Sequence, residues 1–193
     1  CAVGMWCSGG RSAPKACVVG TFASETGLAT CTECPAGRFQ DDDGATSCEL
    51  CTLGCYCPLG ASTAKLCAAG SFGNATGLTA GAACQTCPAG SACAAGAVQP
   101  ARCAPGSIAP AGGMGACERC DVGTYQGSEG GTACETCPTS AWCAAGSSAP
   151  TPCPSGTVGV ETGLRSAGEC RACAPGFWCS AGRQIACGLG TYN

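Results

Sequence analysis

The stretch Cys31–Cys51 reads CTECPAGRFQDDDGATSCELC, two Cys-x2-Cys pairs with thirteen residues between them. Four thiolates at this spacing, Cys31, Cys34, Cys48 and Cys51, suit a tetrahedral zinc site, and Cys117, Cys120, Cys134 and Cys137 repeat the arrangement. The alternative is that the sulfurs are bonded to one another. A zinc reading leaves Cys84 and Cys87 as a Cys-x2-Cys pair without a matching pair, and the chain has no histidine to complete such a site. The disulfide reading accounts for the remaining cysteines, and it is the one the composition supports.

The chain has 193 residues and 24 cysteines, about one in eight, a density at which a disulfide scaffold is the expected class. Only 8 Leu, 7 Val, 4 Phe and 2 Ile are available as large core-formers. Ordering the chain costs roughly 1.5 kcal/mol per residue, and burying one large side chain returns about 1.5–3 kcal/mol. So few large side chains cannot build one core over this length. Disorder is not the alternative, because only 11% of residues are charged and the net charge is −3. Cross-links must supply the order, at roughly 2–3 kcal/mol for each loop of about 7–15 residues closed. This many disulfides requires an oxidising compartment, so a secreted or outward-facing chain is expected. No signal peptide or apolar run long enough to span a membrane is visible, so this segment is expected not to insert into one. The chain opens on a cysteine and stops in mid-repeat at Asn193, which reads as part of something longer. A pI near 4.8 without basic clusters argues against nucleic acid as a partner.

The cysteines repeat at an offset of 86 residues. That shift carries Cys1 to Cys87 and Cys173, Cys7 to Cys93, Cys17 to Cys103, Cys31 to Cys117, Cys67 to Cys153 and Cys84 to Cys170. Each period has a long half, with gaps of 5, 9, 13, 2, 13 and 2 residues between cysteines, and a short half with gaps of 5, 9, 16 and 2. The expected modules are therefore 1–50 (long), 51–86 (short), 87–136 (long), 137–172 (short) and 173–193, the start of a further repeat. Glycine follows three residues after most of the cysteines, which suggests turns at positive φ, with Ser140 as a departure. Two residues beyond these glycines stand Phe22, Phe39, Phe72, Ile108, Tyr125, Val158 and Tyr192, and aromatics also precede cysteines at Trp6, Tyr56, Trp142 and Trp178. These read better as packing on each unit's own disulfides than as a sugar-binding stripe. The recurring Thr-Gly-Leu at 26–28, 76–78 and 162–164 reads as a turn whose Leu plugs the module. No helical period is evident, and strands of three to five residues are expected.

The simplest pairing is a ladder of sequential neighbours. It joins Cys1–Cys7, Cys17–Cys31, Cys34–Cys48, Cys51–Cys57, Cys67–Cys84 and Cys87–Cys93, and continues with Cys103–Cys117, Cys120–Cys134, Cys137–Cys143, Cys153–Cys170 and Cys173–Cys179. The loop 34–48 then carries its own bridge and can be inserted without re-pairing anything. A competing scheme crosses bridges within sets of four, such as Cys31–Cys48 with Cys34–Cys51. Two cysteines fall outside either plan. Cys55 has Ala141 as its counterpart, and Cys187 stands two residues short of its expected place. Both are candidates for an interchain or non-local disulfide, with an ill-aligned local bridge as the alternative for Cys55 and a partner beyond residue 193 for Cys187.

Other chemistry is sparse. Without histidine there is no Ser-His or Cys-His pair, and no βαβ pattern surrounds the Cys-x2-Cys copies, so no enzyme, metal or cofactor is expected. The acidic run Asp41-Asp42-Asp43-Gly44 reads as a solvated loop rather than a calcium site. Asn74-Ala75-Thr76 is an N-glycosylation sequon in the loop between Cys67 and Cys84, and Asn74 is expected to carry a glycan.

The segment CTECPAGRFQDDDGATSCELC and its copy CERCDVGTYQGSEGGTACETC resemble the tandem repeats called GCC2/GCC3 or ephrin-receptor-like, of the growth-factor-receptor cysteine-rich superfamily. CPTSAWCAAGSSAPTPCPSGTVGVETGLRSAGECRAC resembles a longer repeat of large extracellular proteins. The resemblance implies a small disulfide-rich fold, an elongated string of tandem cysteine-rich modules with short β-hairpins and loops and little helix. It also implies an extracellular, cell-surface or ciliary location. The leading expectation is a structural segment of a large glycoprotein, a spacer and assembly surface in a filament, coat or ciliary hair of the mastigoneme type. Its partners would be other copies of itself or other extracellular matrix or filament proteins. The alternatives are a ligand-binding or adhesion ectodomain of a cell-surface receptor, or a protist surface antigen.

Overall fold

The structure, a computed structural model, describes residues 1–9 and 12–188. Short strands form wherever two residues fit between a glycine turn and a cysteine. In the first compact unit, residues 1–87 and 93–100, Met5–Trp6 pairs with Lys15–Ala16, Thr21–Phe22 with Thr32–Glu33, and Arg38–Phe39 with Glu49–Leu50. Cys55–Tyr56 then pairs with Lys65–Leu66, and Ser71–Phe72 with Gln85–Thr86. The second unit, residues 88–92 and 101 onward, begins with Ser91–Ala92 against Ala101–Arg102, Ser107–Ile108 against Glu118–Arg119, and Thr124–Tyr125 against Glu135–Thr136. It continues with Ala141–Trp142 against Thr151–Pro152, Thr157–Val158 against Arg171–Ala172, and Phe177–Ser180 against Arg183–Ala186. All are antiparallel hairpins, and each 86-residue period contains five of them. Helix is confined, among the described residues, to the 3-10 turns Gly81–Ala83 and Ala167–Glu169, which stand at the same point of the two periods.

The strands are shorter than the three to five residues expected, two residues each except in the last hairpin. The reason lies in how each hairpin is bounded. A residue at positive φ turns the chain into the first strand, and a cysteine ends the second by donating its N–H back to that residue's carbonyl. Cys17 N donates to Gly4 O at 3.0 Å, Cys34 N to Gly20 O at 2.9 Å, and Cys51 N to Gly37 O at 2.9 Å. Only two positions remain to pair between these fixed ends.

Backbone hydrogen bonds also link one hairpin to the next. Gly4 N donates to Ala23 O (2.8 Å), Gly20 N to Gln40 O (2.7 Å) and Gly37 N to Cys57 O (2.8 Å). A second series skips a hairpin: Gly44 N, in the tip of the third, donates to Cys17 O at 2.7 Å, and Gly60 N, in the tip of the fourth, to Cys34 O at 2.8 Å. The second period repeats both series, with Gly106 N to Gln126 O at 2.7 Å and Gly146 N to Cys120 O at 2.8 Å. The buried backbone groups thus find partners without wide sheets or helices.

The interior is sulfur. The largest side chains that are fully buried are all cysteines, including Cys17, Cys34, Cys51, Cys57, Cys103 and Cys120, while Val18, Leu59 and Leu66 are each about 60% exposed or more. This is the small disulfide-rich class that the composition called for, with cystines where aliphatic side chains would otherwise meet.

The turn positions are tightly constrained. Gly20 has φ +80, and a Cβ there would lie 2.5 Å from the carbonyl oxygen of Gly60. Ser140 occupies the place of Gly54, one period on, and it too is held at positive φ, 72°. An L-residue in this region costs roughly 1–2 kcal/mol. Gly20→Ala should therefore lose roughly 2–4 kcal/mol, from strain plus the clash with Gly60. Ser140→Gly should gain about 1 kcal/mol. Equilibrium denaturant unfolding of the two variants beside the parent measures both.

Candidate functional site

The chemistry of this chain is concentrated in its sulfurs. Eleven disulfides join successive cysteines, with Cys55 passed over between Cys51 and Cys57. Five have a separation of 6 residues: Cys1–Cys7, Cys51–Cys57, Cys87–Cys93, Cys137–Cys143 and Cys173–Cys179. The first four bracket the first strand of their hairpins, and in the last Cys179 lies within the strand Phe177–Ser180. Four have a separation of 14: Cys17–Cys31, Cys34–Cys48, Cys103–Cys117 and Cys120–Cys134. Cys67–Cys84 and Cys153–Cys170, with a separation of 17, span the hairpins that contain the 3-10 turns. Cα separations of 5.7 to 6.0 Å lie in the normal range for a bridge. The four sulfurs of the opening stretch belong to three different bridges. Cys31 is joined to Cys17, Cys34 to Cys48 and Cys51 to Cys57, so none is a free thiolate for a metal.

Three of the aromatics lie on the disulfide that ties the closing cysteine of their own hairpin to the next hairpin. Phe39 sits against Cys51, which closes its own hairpin, and against Cys55, Cys57 and Ala61 of the following one. Phe72 packs on Cys87 and Cys93, and Tyr125 on Cys137, Ala141 and Cys143. Each therefore seals a joint between hairpins. The leucine of Thr-Gly-Leu is linked to the preceding hairpin through its backbone, since Leu78 forms a parallel bridge with Tyr56 and Leu164 with Trp142. Trp178 remains about half exposed, and Tyr192 lies outside the described residues.

Cys55 and Cys187 carry no disulfide. Cys55 is only 8% exposed, beside Cys51, Cys57 and Ala61, and its counterpart Ala141 is buried to the same degree. In this fold the thiol acts as a small apolar filler, out of reach of another chain's sulfur unless the hairpin opens. Cys187 is half-buried and its N–H donates to Gly176 O at 3.0 Å, the same closing bond that Cys17 makes to Gly4. The two missing residues come from the tip of the last hairpin. There Ala181 and Gly182, at φ 49 and 72, form a two-residue turn of the kind that tight hairpins favour. Cys187 thus keeps the place of a hairpin-closing cysteine.

Two side chains that sequence reasoning passed over hold the inserted loops. Gln40, 7% exposed, donates from Nε2 to Ser47 O and accepts the Asp42 N–H on Oε1, both at 2.8 Å. Gln126, one period on, donates to Ala133 O at 2.7 Å and accepts from Ser128 N at 2.9 Å. The signal was available: both glutamines directly follow the repeated aromatic, 86 residues apart. In the acidic run, Asp43 Oδ1 accepts the Val19 N–H at 3.0 Å, which ties this loop to an earlier turn. Asn74 and Thr76 of the sequon are both exposed.

A shallow apolar groove of about 270 Å³ lies between the first two hairpins, lined by Trp6, Val18, Thr21, Thr30 and Cys31. The Lys15 ammonium sits 5.4 Å from the Trp6 ring centre. In the second period the lining becomes Ala92, Ala104, Ser107, Ala116 and Cys117, so the groove's large side chains belong to the first period alone. Among the described residues no helix is long and apolar enough to cross a membrane.

Residues 20–70 and 106–143 match the family model described as tyrosine-protein kinase ephrin type A/B receptor-like. The two stretches begin 86 residues apart, so the same part of each period is recognised, and together they cover just under half of the chain. No curated protein matches the chain. Cysteine-rich repeats similar to those of ephrin receptors, closed by a ladder of disulfides, fit an extracellular module of structural or receptor-like type.

Cys55→Ala should cost about 1 kcal/mol or less, since Ala141 already occupies the equivalent site. In the native protein the Cys55 thiol should resist a bulky maleimide and react once denaturant is added, read by intact mass. The Tyr125 hydroxyl donates to Glu135 Oε2 at 2.8 Å, which, with some desolvation and the nearby charge, holds its pKa above the usual 10.0. Because the folded value is the higher one, this contribution to stability is complete below the ordinary tyrosine range and is lost as pH climbs through the folded value. Glu135→Gln should bring the Tyr125 ionisation back down, seen as an earlier phenolate absorbance rise in an ultraviolet titration.

Proposed function

We propose that the chain is a non-enzymatic structural segment of a large extracellular glycoprotein, a spacer and assembly surface in a filament, coat or ciliary hair of the mastigoneme type. Its repeats would be of the GCC2/GCC3 kind, with module boundaries at 1–50, 51–86, 87–136 and 137–172 and a further module from 173. The observation that carries this reading is the way each hairpin is used. Its cysteines and its interior backbone groups are directed at neighbouring hairpins, and its larger aliphatics, such as Val18, Leu53, Leu59 and Val122, are left on the surface. Such a chain can be lengthened by adding hairpins, and it meets its surroundings with side chains suited to packing against other proteins. Partners on this reading are further copies of the chain or other matrix and filament proteins.

A receptor or adhesion ectodomain is the second reading. It is favoured by the Trp6 groove, which a purely repetitive spacer would not need to confine to one period. Electron microscopy of native source material, with antibody labelling of the chain, tests the first. Labels recurring at a constant interval along a fibre are the expected result, and dispersed single copies at a membrane would count for the second. Thiol titration without reductant, on the same material, should find only the two cysteines outside the ladder.

A further inference from the structure

Between Lys65 and Arg102 the chain has no Asp, Glu, Lys or Arg at all. The corresponding stretch of the second period, residues 152–187, folds into hairpins of the same plan and carries Glu161, Arg165, Glu169, Arg171 and Arg183. The fold therefore accepts either surface. The two differ in how they are hydrated, because an exposed surface without ionic groups favours association. Leu66, 59% exposed, and Val98, 44% exposed, lie on the uncharged stretch.

The difference is sharpest in the loop of the fifth hairpin. In the second period the Arg171 guanidinium meets Glu161 at 2.7 Å, with both side chains about two-thirds exposed. In the first period the equivalents are Gln85 and Ala75, and Gln85 Nε2 instead donates to Asn74 Oδ1 at 3.0 Å. Gly73, just before, is buried, and a Cβ there would come within 3.1 Å of Cys67 Sγ. Asn74 itself is exposed, as is Thr76. The hydrogen bond engages the amide oxygen of Asn74 and not its nitrogen. Val160, 50% exposed, stands at the equivalent position, so the hairpin does not require an asparagine there.

We infer that Asn74 carries an N-linked glycan whose role is to hydrate the charge-free stretch from Leu66 to Ala101. This rests on the extracellular reading above, since the modification belongs to the secretory route. The donor is a lipid pyrophosphate-linked oligosaccharide. The bond from its anomeric carbon to the phosphate oxygen breaks, a bond from that carbon to Asn74 Nδ2 forms, and the amide loses one proton as the lipid pyrophosphate departs. Thr76 completes the acceptor sequence. The sugar hydroxyls then supply the hydration that Glu161, Arg165, Glu169 and Arg171 supply one period later.

The test is to secrete the chain from eukaryotic cells and count its free thiols first. Two free thiols establish that the oxidised fold has formed; a much higher count is a failure of the extracellular reading, separate from the glycan. On the oxidised material, peptide N-glycosidase should convert Asn74 to Asp in the tryptic peptide that follows Lys65, with loss of the glycan mass. An unmodified Asn74 in that peptide overturns the inference. Asn74→Val, which copies the second period and should fold, and Thr76→Ala, which keeps the asparagine, should both remove the glycan. Each should lower the concentration at which the protein precipitates several-fold at moderate salt. If the two variants stay as soluble as the glycosylated parent, the hydration role is overturned.

Discussion

A two-residue strand pair cannot hold itself together in water, and every hairpin here depends on the cysteine that closes it. That residue contributes two bonds at once. Its N–H returns to the carbonyl of the turn residue that opened the hairpin, as Cys34 does to Gly20, and in every hairpin but the last, which Cys187 closes, its sulfur is tied to another cysteine, as Cys34 is to Cys48. The covalent bond removes freedom from the unfolded chain, so the folded one needs less buried area to prevail. The cystine then fills the small interior, where Cys34 and Cys51 are fully buried. Most of the larger aliphatic side chains, such as Val18, Leu59 and Leu66, are released from the core and stand outside.

The hairpins are held to one another by backbone more than by side chains. The bond from Gly20 N to Gln40 O and the return from Gly60 N to Cys34 O bring three consecutive hairpins within hydrogen-bonding distance. Main chain can pass that close to main chain only where no Cβ intervenes, hence the contact between Gly20 and the Gly60 carbonyl. Phe39, Phe72 and Tyr125 cover what remains open at the joints by lying on the disulfide that ties their own closing cysteine to the next hairpin. A design of this kind tolerates added hairpins, because each hairpin reaches only the next one or the next but one.

That arrangement bears on what the chain can do. Its polar backbone and its sulfurs face inward, towards neighbouring hairpins, and the surface is left free to vary between periods. The second period uses that freedom for charges such as Glu161 and Arg171. The first uses it for Trp6 and Lys15 around a groove and for a neutral stretch bearing Asn74. Two periods with one backbone plan and different exteriors suit an extracellular module whose contacts are set locally, repeat by repeat.

Much of this was legible in the amino-acid sequence. One cysteine in eight and 21 large aliphatic and phenylalanine side chains required cross-links in place of a core, and the 86-residue offset exposed the duplication. The glycines three residues after cysteines pointed to positive-φ turns, because that backbone conformation is costly for other residues. Five hairpins of one plan within each period were not legible, because the spacing of the bridges alternates between 6 and 14 or 17 residues while the hairpins stay nearly constant. The role of Gln40 was also hidden, since a single glutamine becomes a loop clasp only where the fold encloses it. Local chemistry and its repetition could be read along the chain. Which hairpin each turn reached, whose disulfide each aromatic covered, and that Cys55 is enclosed were decided in three dimensions, because contacts between one hairpin and the next, or the next but one, leave no periodic mark on any single segment.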